Sequence, residues 1–311
     1  MPKGALITGS SSGLAVAFAR QLARLGFDLA LNYNHSQERC EALAADLRLS
    51  HGVSAVALPG DVSDAAEAEQ LVAAAHESCG DLSVLIHSAG PFVFTRKRVT
   101  DYTDEEWTAM VDGNLSSAFY LLRRVIPHMR GQGFGRIVTV GFQRIDHTTG
   151  WAYRSAYAAA KTGLASLTRT VAIEESDTGI TANMICPGDV RGADKERDEP
   201  GDDADGLSLR RPVGGDLAQL IGFLVSPEAR FVNGNIISVT GDVDVISHYD
   251  TGANEVSDPR TLAIGTAVRI LPLDRVGVVV ARRDRRNRRS VYTVSCDGRQ
   301  APYTIEQLAE L

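Results

Sequence analysis

Gly4-Ala5-Leu6-Ile7-Thr8-Gly9-Ser10-Ser11-Ser12-Gly13-Leu14-Ala15 opens the chain with an apolar β-type run, a glycine-containing turn and the start of a helical pattern. Glycine in such a turn permits a tight bend and close backbone approach to a pyrophosphate. The helix that follows presents free N–H groups and its positive end to that anion. An ordinary strand-to-helix turn would look similar in isolation. Its place directly after a first strand favours a dinucleotide.

Working outward, short apolar runs alternate with Ala/Leu-rich stretches of helical period. The expected strands are Gly4–Thr8, Asp28–Tyr33, Ser54–Leu58, Leu82–His87, Arg136–Gly141, Thr181–Cys186 and Asn235–Thr240. Helical stretches fall at Leu14–Leu25, Glu38–Leu49, Ala65–Glu77 and Asn114–Arg130, and Thr103-x-x-Glu106 reads as a capping box. This alternation predicts an α/β fold, a Rossmann-type doubly wound parallel sheet covered on both faces.

After Ile246 the pattern changes. Residues 247–260 are polar, broken by Gly and Pro, and read as a linker. Ala267–Leu271, Arg275–Ala281, Ser290–Ser295 and Tyr303–Leu311 then predict a small antiparallel β module, SH3-like in type. The expected division is 1–246, linker 247–260, module 261–311. Charge breaks at the same place. Residues 261–311 carry nine Arg against five Asp and Glu, and the rest carries 23 basic against 34 acidic residues. The larger part is too acidic to bind nucleic acid by its overall field. Arg282–Arg289 is expected at the solvated tip of a hairpin, with docking of an acidic partner as the alternative.

At 44% hydrophobic and 23% charged, the composition excludes wholesale disorder, collagen and coiled coil. No apolar run approaches the roughly 20 residues that span a bilayer. With the first apolar run beginning at Gly4, no signal peptide is expected. The four cysteines are dispersed and lack a CxxC pair, arguing against a metal site or disulfide framework. The expectation is a cytoplasmic protein with reduced thiols.

Tyr157-Ala158-Ala159-Ala160-Lys161 places a phenol and an ammonium on one helical face. A neighbouring cation lowers a phenol pKa and makes it a usable proton donor or acceptor. Alone such a pair is common and reads better as a solvated helical face; its value comes from the motifs around it.

Together these motifs resemble the short-chain dehydrogenase/reductase family, near its 3-oxoacyl-[acyl-carrier-protein] reductases, from Lys3 to about Ile246. Thr8-Gly9-x-x-x-Gly13-x-Ala15 is similar to its cofactor loop, with Ala15 in place of the third Gly. Asp61-Val62 matches the adenine contact, and His87-Ser88-Ala89-Gly90 matches Asn-Asn-Ala-Gly with both Asn replaced. Asn183-x-x-x-Pro187-Gly188-x-Val190 and Gly234-Asn235-x-Ile237-x-Val239-x-Gly241 match later segments.

The resemblance implies a nicotinamide dinucleotide as cofactor, read below as NADP with NAD as the alternative, Tyr157 as proton donor to a carbonyl, Lys161 on the ribose hydroxyls and Asn114 in a proton relay. It also implies cofactor contacts from Ser11, Ser12 and Leu14, and a homotetramer built on helices near Asn114 and Tyr157. The face Ala156, Ala159, Ala160 and Gly163 suits such packing. Asn34-His35-Ser36 offers polar groups for a 2′-phosphate and no acidic residue for a free 2′-hydroxyl, although Asn32–Ser36 holds no Arg or Lys.

Two departures stand out. Phe142 occupies the position of the family's substrate-binding Ser, and a lost oxyanion donor typically costs about 10²–10³ in rate. Gln143 is the first candidate substitute, with Arg144, His147, Thr148 and Thr149 nearby, and Trp151 and Tyr153 are expected pocket walls. Residues 192–211, where the family has an apolar lid, hold seven acidic residues and two Leu, so a mobile loop is expected. The alternatives to a reductase are a dinucleotide-binding relative with weak or no catalysis, and a scaffold whose β module recruits a partner.

Overall fold

The computed structural model describes residues 4–92, 95–199, 211–241, 246, 267–270, 275–283, 291–297, 299–304 and 308–310. Two compact units emerge, Met1–Val245 and Ile246–Leu311.

The first unit is built on seven parallel strands: β1 (Gly4–Thr8), β2 (Asp28–Tyr33), β3 (Ala55–Pro59), β4 (Leu82–His87), β5 (Gly135–Val140), β6 (Ile180–Pro187) and β7 (Ile236–Val239). They lie in the order β3-β2-β1-β4-β5-β6-β7. Every residue of β1, β4 and β5 is buried, as expected of central parallel strands covered by helices on both faces. The chain reverses its winding between β1 and β4, and ligands of such sheets bind beyond the strand C-termini at that crevice.

The helices are α1 (Leu14–Arg24), α2 (Gln37–His51), α3 (Ala65–Cys79), α4 (Asp104–Val111), α5 (Ser117–Gln132), α6 (Ser155–Glu174) and α7 (Gly214–Leu224). Local chemistry sets several starts. Asp64 caps α3 by accepting from the N–H groups of Ala66 and Glu67 at 2.8 and 2.9 Å. Thr103 and Glu106 form the expected reciprocal box on α4, at 3.0 and 3.2 Å. Between α4 and α5 the backbone widens into a π-helical turn, Asp112–Ser116, and Asn114 belongs to this turn rather than to α5. Such turns are frequent at functional sites. Leu22, Leu29, Leu31, Ile86 and Leu217 are among the side chains packed in the core beneath the crevice.

The second unit is an antiparallel sheet of β8 (Ala267–Ile270), β9 (Arg275–Arg283), β10 (Val291–Cys296), β11 (Arg299–Thr304) and β12 (Leu308–Glu310), in the order β11-β10-β9-β8-β12. Val268, Ile270, Val279, Tyr292, Val294 and Leu308 form its core. The sequence anticipated the antiparallel module but not a separate β11. Arg282 and Arg283 belong to β9, opposite Tyr292 and Val291, while 284–290 and the expected linker 247–260 lie outside the described residues.

Candidate functional site

At the C-terminal ends of the strands, Lys161 of α6 meets the Val140 carbonyl that closes β5, and α6 packs on β6; the candidate site lies there. Tyr157 and Lys161 are both buried on α6. Lys161 Nζ lies 5.9 Å from the Tyr157 ring centroid and donates to the Val140 carbonyl at 2.9 Å. Burial pushes the ammonium down to about 8. It pushes the Tyr157 phenol up, with Arg154 as the cation opposing that rise. The expected depression of the phenol pKa by Lys161 is therefore not realised, because desolvation outweighs nearby charge.

Three rings enclose Tyr157: Phe92 at 5.0 Å, Phe142 at 6.1 Å and Trp151 at 6.1 Å between centroids. The Arg154 guanidinium lies 5.1 Å from the centroids of both Phe92 and Trp151. Phe142 thus packs on the proton-donor candidate where a hydroxyl was expected. Gln143 follows it, half-buried, while Tyr153 is exposed and Trp151 buried. A hollow of about 610 Å³ opens beside this wall, lined by residues including Lys97, Thr148, Thr149, Trp151, Tyr153 and Ala159.

His87, at the end of β4, is fully buried, and its hydrogen bonds fix its tautomer. Thr8 Oγ1 accepts from the N–H groups of Ser88 and Ala89, each at 3.1 Å, so its own proton goes to His87 Nδ1 at 3.0 Å. The Nε2–H then faces Ser117 Oγ at 3.2 Å, and the Ser117 hydroxyl donates to Gly113 O at 2.8 Å. Burial and the Lys161 charge hold the imidazole down to about 3, so it is neutral. This chain ties the end of β1 to the π turn carrying Asn114. Asn114 Nδ2 donates to Pro91 O and Met110 O, each at 3.0 Å. A Cβ on Gly90 would stand 2.3 Å from Asn114 Oδ1, which is why Gly fits there.

At the other end of the crevice, Gly9 and Gly13 adopt φ of 68° and 72°, conformations that favour glycine. Ser11 is half-buried, Ser12 exposed, and Leu14 begins α1. Asp61 accepts from Ser63 N–H and Oγ at 2.9 and 2.6 Å. The Ser63 bonds, with contributions from Asn34 and His35, hold its carboxyl below the usual range. Asn34, His35 and Asp61 are thereby brought together, Val62 is buried beside them, and Ser36 is exposed before α2. Across the crevice Gly188 N–H donates to Val239 O at 2.8 Å, and Val190 is buried beyond Pro187.

Sequence reading missed Arg39, three residues past the stretch that lacked a cation. Its Nη2 donates to Glu196 Oε1 at 2.9 Å, and the same oxygen accepts from Gly13 N–H at 3.0 Å. Glu196 belongs to the acidic stretch expected to be mobile. The described part, residues 192–199, makes charged contacts: Arg20 Nη1 donates to the Glu196 carbonyl at 2.7 Å, and Arg24 pairs with Asp198. Residues 200–210 lie outside the described residues.

The donor set fits a phosphorylated dinucleotide. A carboxylate oxygen already sits on the Gly13 N–H, next to the start of α1, with a guanidinium at the same oxygen, and this is the chemistry of a phosphate seat. An open nucleotide fold with a buried Tyr/Lys pair at its crevice defines the class. The family model described as "Enoyl-(Acyl carrier protein) reductase" matches residues 9–242. The chain belongs to the short-chain dehydrogenase/reductase family.

It is 42% identical over 258 residues to "Putative oxidoreductase YtkK" of Bacillus subtilis (strain 168), covering 79% of this chain and 98% of that one. It is 30% identical over 248 residues to "3-oxoacyl-[acyl-carrier-protein] reductase FabG" of Staphylococcus aureus (strain Mu50 / ATCC 700699), covering 78% and 98%. A short-chain dehydrogenase from Burkholderia cenocepacia J2315, solved in complex with NADP, superposes with a TM-score of 0.66 at 29% identity, covering 78% and 97%. These lengths leave about a fifth of the chain without a counterpart in those three relatives.

Proposed function

We propose that this protein is an NADP(H)-dependent reductase of ketones, with 3-oxoacyl thioesters as the leading substrate class. The observation that carries the reading is the pairing of buried Tyr157 and Lys161 at the strand ends, in one crevice with the Gly13 and Arg39 anion seat. The solved Burkholderia relative binds NADP and the Staphylococcus relative is named as a 3-oxoacyl reductase, which supports both halves.

Bound NADPH would supply the hydride. Tyr157 holds the proton that the reduced oxygen must receive, and its raised pKa keeps the phenol protonated at neutral pH. Lys161, anchored by Val140 O, would hold the ribose hydroxyls, and its charge is lost as pH rises through about 8. Gly9, Ser11, Ser12, Gly13 and Leu14 would cradle the pyrophosphate side, with Asp61 and Val62 at adenine. Ser88, Ala89, Gly90, Pro187, Gly188 and Val190 would flank the nicotinamide side. Arg39, with Asn34, His35 and Ser36, would receive the 2′-phosphate. Gln143 is the proposed replacement for the missing hydroxyl donor, and Asn114 the relay residue. A homotetramer is proposed for the assembly, and an acidic partner for the Arg-rich module.

Tyr157→Phe is expected to abolish reduction of an oxoacyl-thioester panel while NADPH affinity stays within about twofold. Gln143→Ala is expected to lower kcat by about 10²-fold, the scale of one oxyanion contact. Unchanged turnover in Tyr157→Phe would refute the assignment. A dinucleotide-binding protein without turnover is the second reading, favoured by the Phe142 ring standing at 6.1 Å where the family has a Ser. Firm NADPH binding by the wild type with no reduction of any ketone would establish it.

A further inference from the structure

The seat that a cofactor phosphate needs already has an occupant belonging to the chain. Glu196 Oε1 takes the Gly13 N–H at 3.0 Å and the Arg39 guanidinium at 2.9 Å. The contact joins residues 183 positions apart, so it is a tertiary feature rather than a local turn. Its backbone is fixed as well. Arg20 holds the Glu196 carbonyl, and the Arg197 carbonyl accepts from Gly215 N–H at 2.8 Å. A Cβ on Gly214 would stand 2.0 Å from Lys195 O, and one on Gly215 would stand 1.7 Å from Asp198 O. The paired glycines at the start of α7 therefore cut a notch that admits residues 195–198 beside the start of α1.

We infer that Glu196 is an internal competitor for the cofactor's phosphates and sets the affinity of the dinucleotide. The inference rests on the dinucleotide reading above and deepens it. A carboxylate oxygen and a phosphate oxygen ask for the same donors, an N–H and a guanidinium. One oxygen cannot share them with a phosphate at hydrogen-bond distance. Binding is then an exchange: the carboxylate returns to water and a phosphate takes its donors. The cost of breaking the Arg39–Glu196 pair falls on every dinucleotide alike. A 2′-phosphate regains the Arg39 contact and a 2′-hydroxyl does not. Arg39 therefore decides between the two cofactors, and Glu196 decides how tightly either one binds.

This separation gives the test its shape. NADPH and NADH are titrated by nucleotide fluorescence into the full-length wild type, Glu196→Ala, Glu196→Gln, Arg39→Ala and the Arg39→Ala/Glu196→Ala double variant. Glu196→Ala is expected to tighten both nucleotides by about three- to tenfold, the scale of one partly exposed ion pair with an added N–H contact, and to leave their ratio unchanged. Glu196→Gln should fall between. Arg39→Ala should erase the preference for NADPH, and in that background Glu196→Ala should give a smaller gain.

Weaker or unchanged binding of both nucleotides by Glu196→Ala would overturn the inference while leaving the dinucleotide reading intact. A changed ratio in Glu196→Ala would also overturn it. Inorganic pyrophosphate provides a readout without nucleotide: it should raise the Tm of Glu196→Ala more than that of wild type. Failure of both folded proteins to bind nucleotide or pyrophosphate would reject the inference and the dinucleotide reading together.

Discussion

At the scale of the residue, His87 carries a consequence for stability against acid. Its folded pKa is held down to about 3 against an ordinary value of 6.5, so only the unfolded chain gains a proton between those values. The sign follows: stability falls as pH drops from 6.5 toward 3, with at most about 1.4 kcal/mol lost per pH unit from this one group. His87→Asn, whose amide can donate and accept, removes that proton uptake. Urea unfolding at pH 6.5 and 4.5 should show a shallower acid loss for His87→Asn than for wild type. Equal losses would mean that the imidazole is not the group responsible.

Tyr157, Lys161 and Phe142 were legible as residues, because their positions relative to strand five and to one another are local. Arg39 was not, because the reading of the loop after strand two ended at Ser36 while its side chain reaches back to Glu196. The polarity of the Thr8–His87–Ser117 chain was equally hidden, since its members lie 79 and 30 positions apart.

At the scale of the element, the acidic stretch after β6 shows what composition alone cannot say. Few apolar residues led to the expectation of a mobile loop, and residues 192–199 nonetheless make ion pairs and sit in the glycine notch at α7. Gly215→Ala should disturb that notch, because its Cβ would be driven into Asp198 O. Overpacking of this kind typically costs about 1–3 kcal/mol, and here the cheaper relief is displacement of the segment. Limited trypsin digestion should then cut after Lys195 or Arg197 faster in Gly215→Ala than in wild type. Equal rates, with a lowered Tm, would place the strain in α7 instead.

Helix faces were read with mixed success. The capping box on α4 was visible as a four-residue pattern, and the π turn around Asn114 left no such signature. Of the small residues on α6 expected to face another copy, Ala156 and Ala160 are already buried within the subunit, and Ala159 is exposed. That face is therefore narrower than its sequence indicated.

At the scale of the whole molecule, the doubly wound sheet was readable from alternation and spacing, because parallel strands must be separated by crossovers. The β module was readable as antiparallel from its turns, but not its strand order, which depends on β12 returning to β8. No helix among the described residues is long and apolar enough to cross a membrane. The proposed tetramer is a whole-molecule expectation: light scattering at micromolar concentration should give four times the 33.3 kDa chain mass. A monomer mass would remove it.

The central position of β1 also shapes how the chain is made. Strands β1, β2 and β3 can pair early, but the other edge of β1 waits for β4, whose His87 meets Thr8 across 79 residues. At synthesis rates of roughly 5–20 residues per second, that edge stays open for about 4–16 s in each nascent chain. An open apolar strand invites pairing with another chain. Newly made molecules are thus most vulnerable to one another before the fourth strand emerges, and ribosomes crowded on one message pass through that interval side by side.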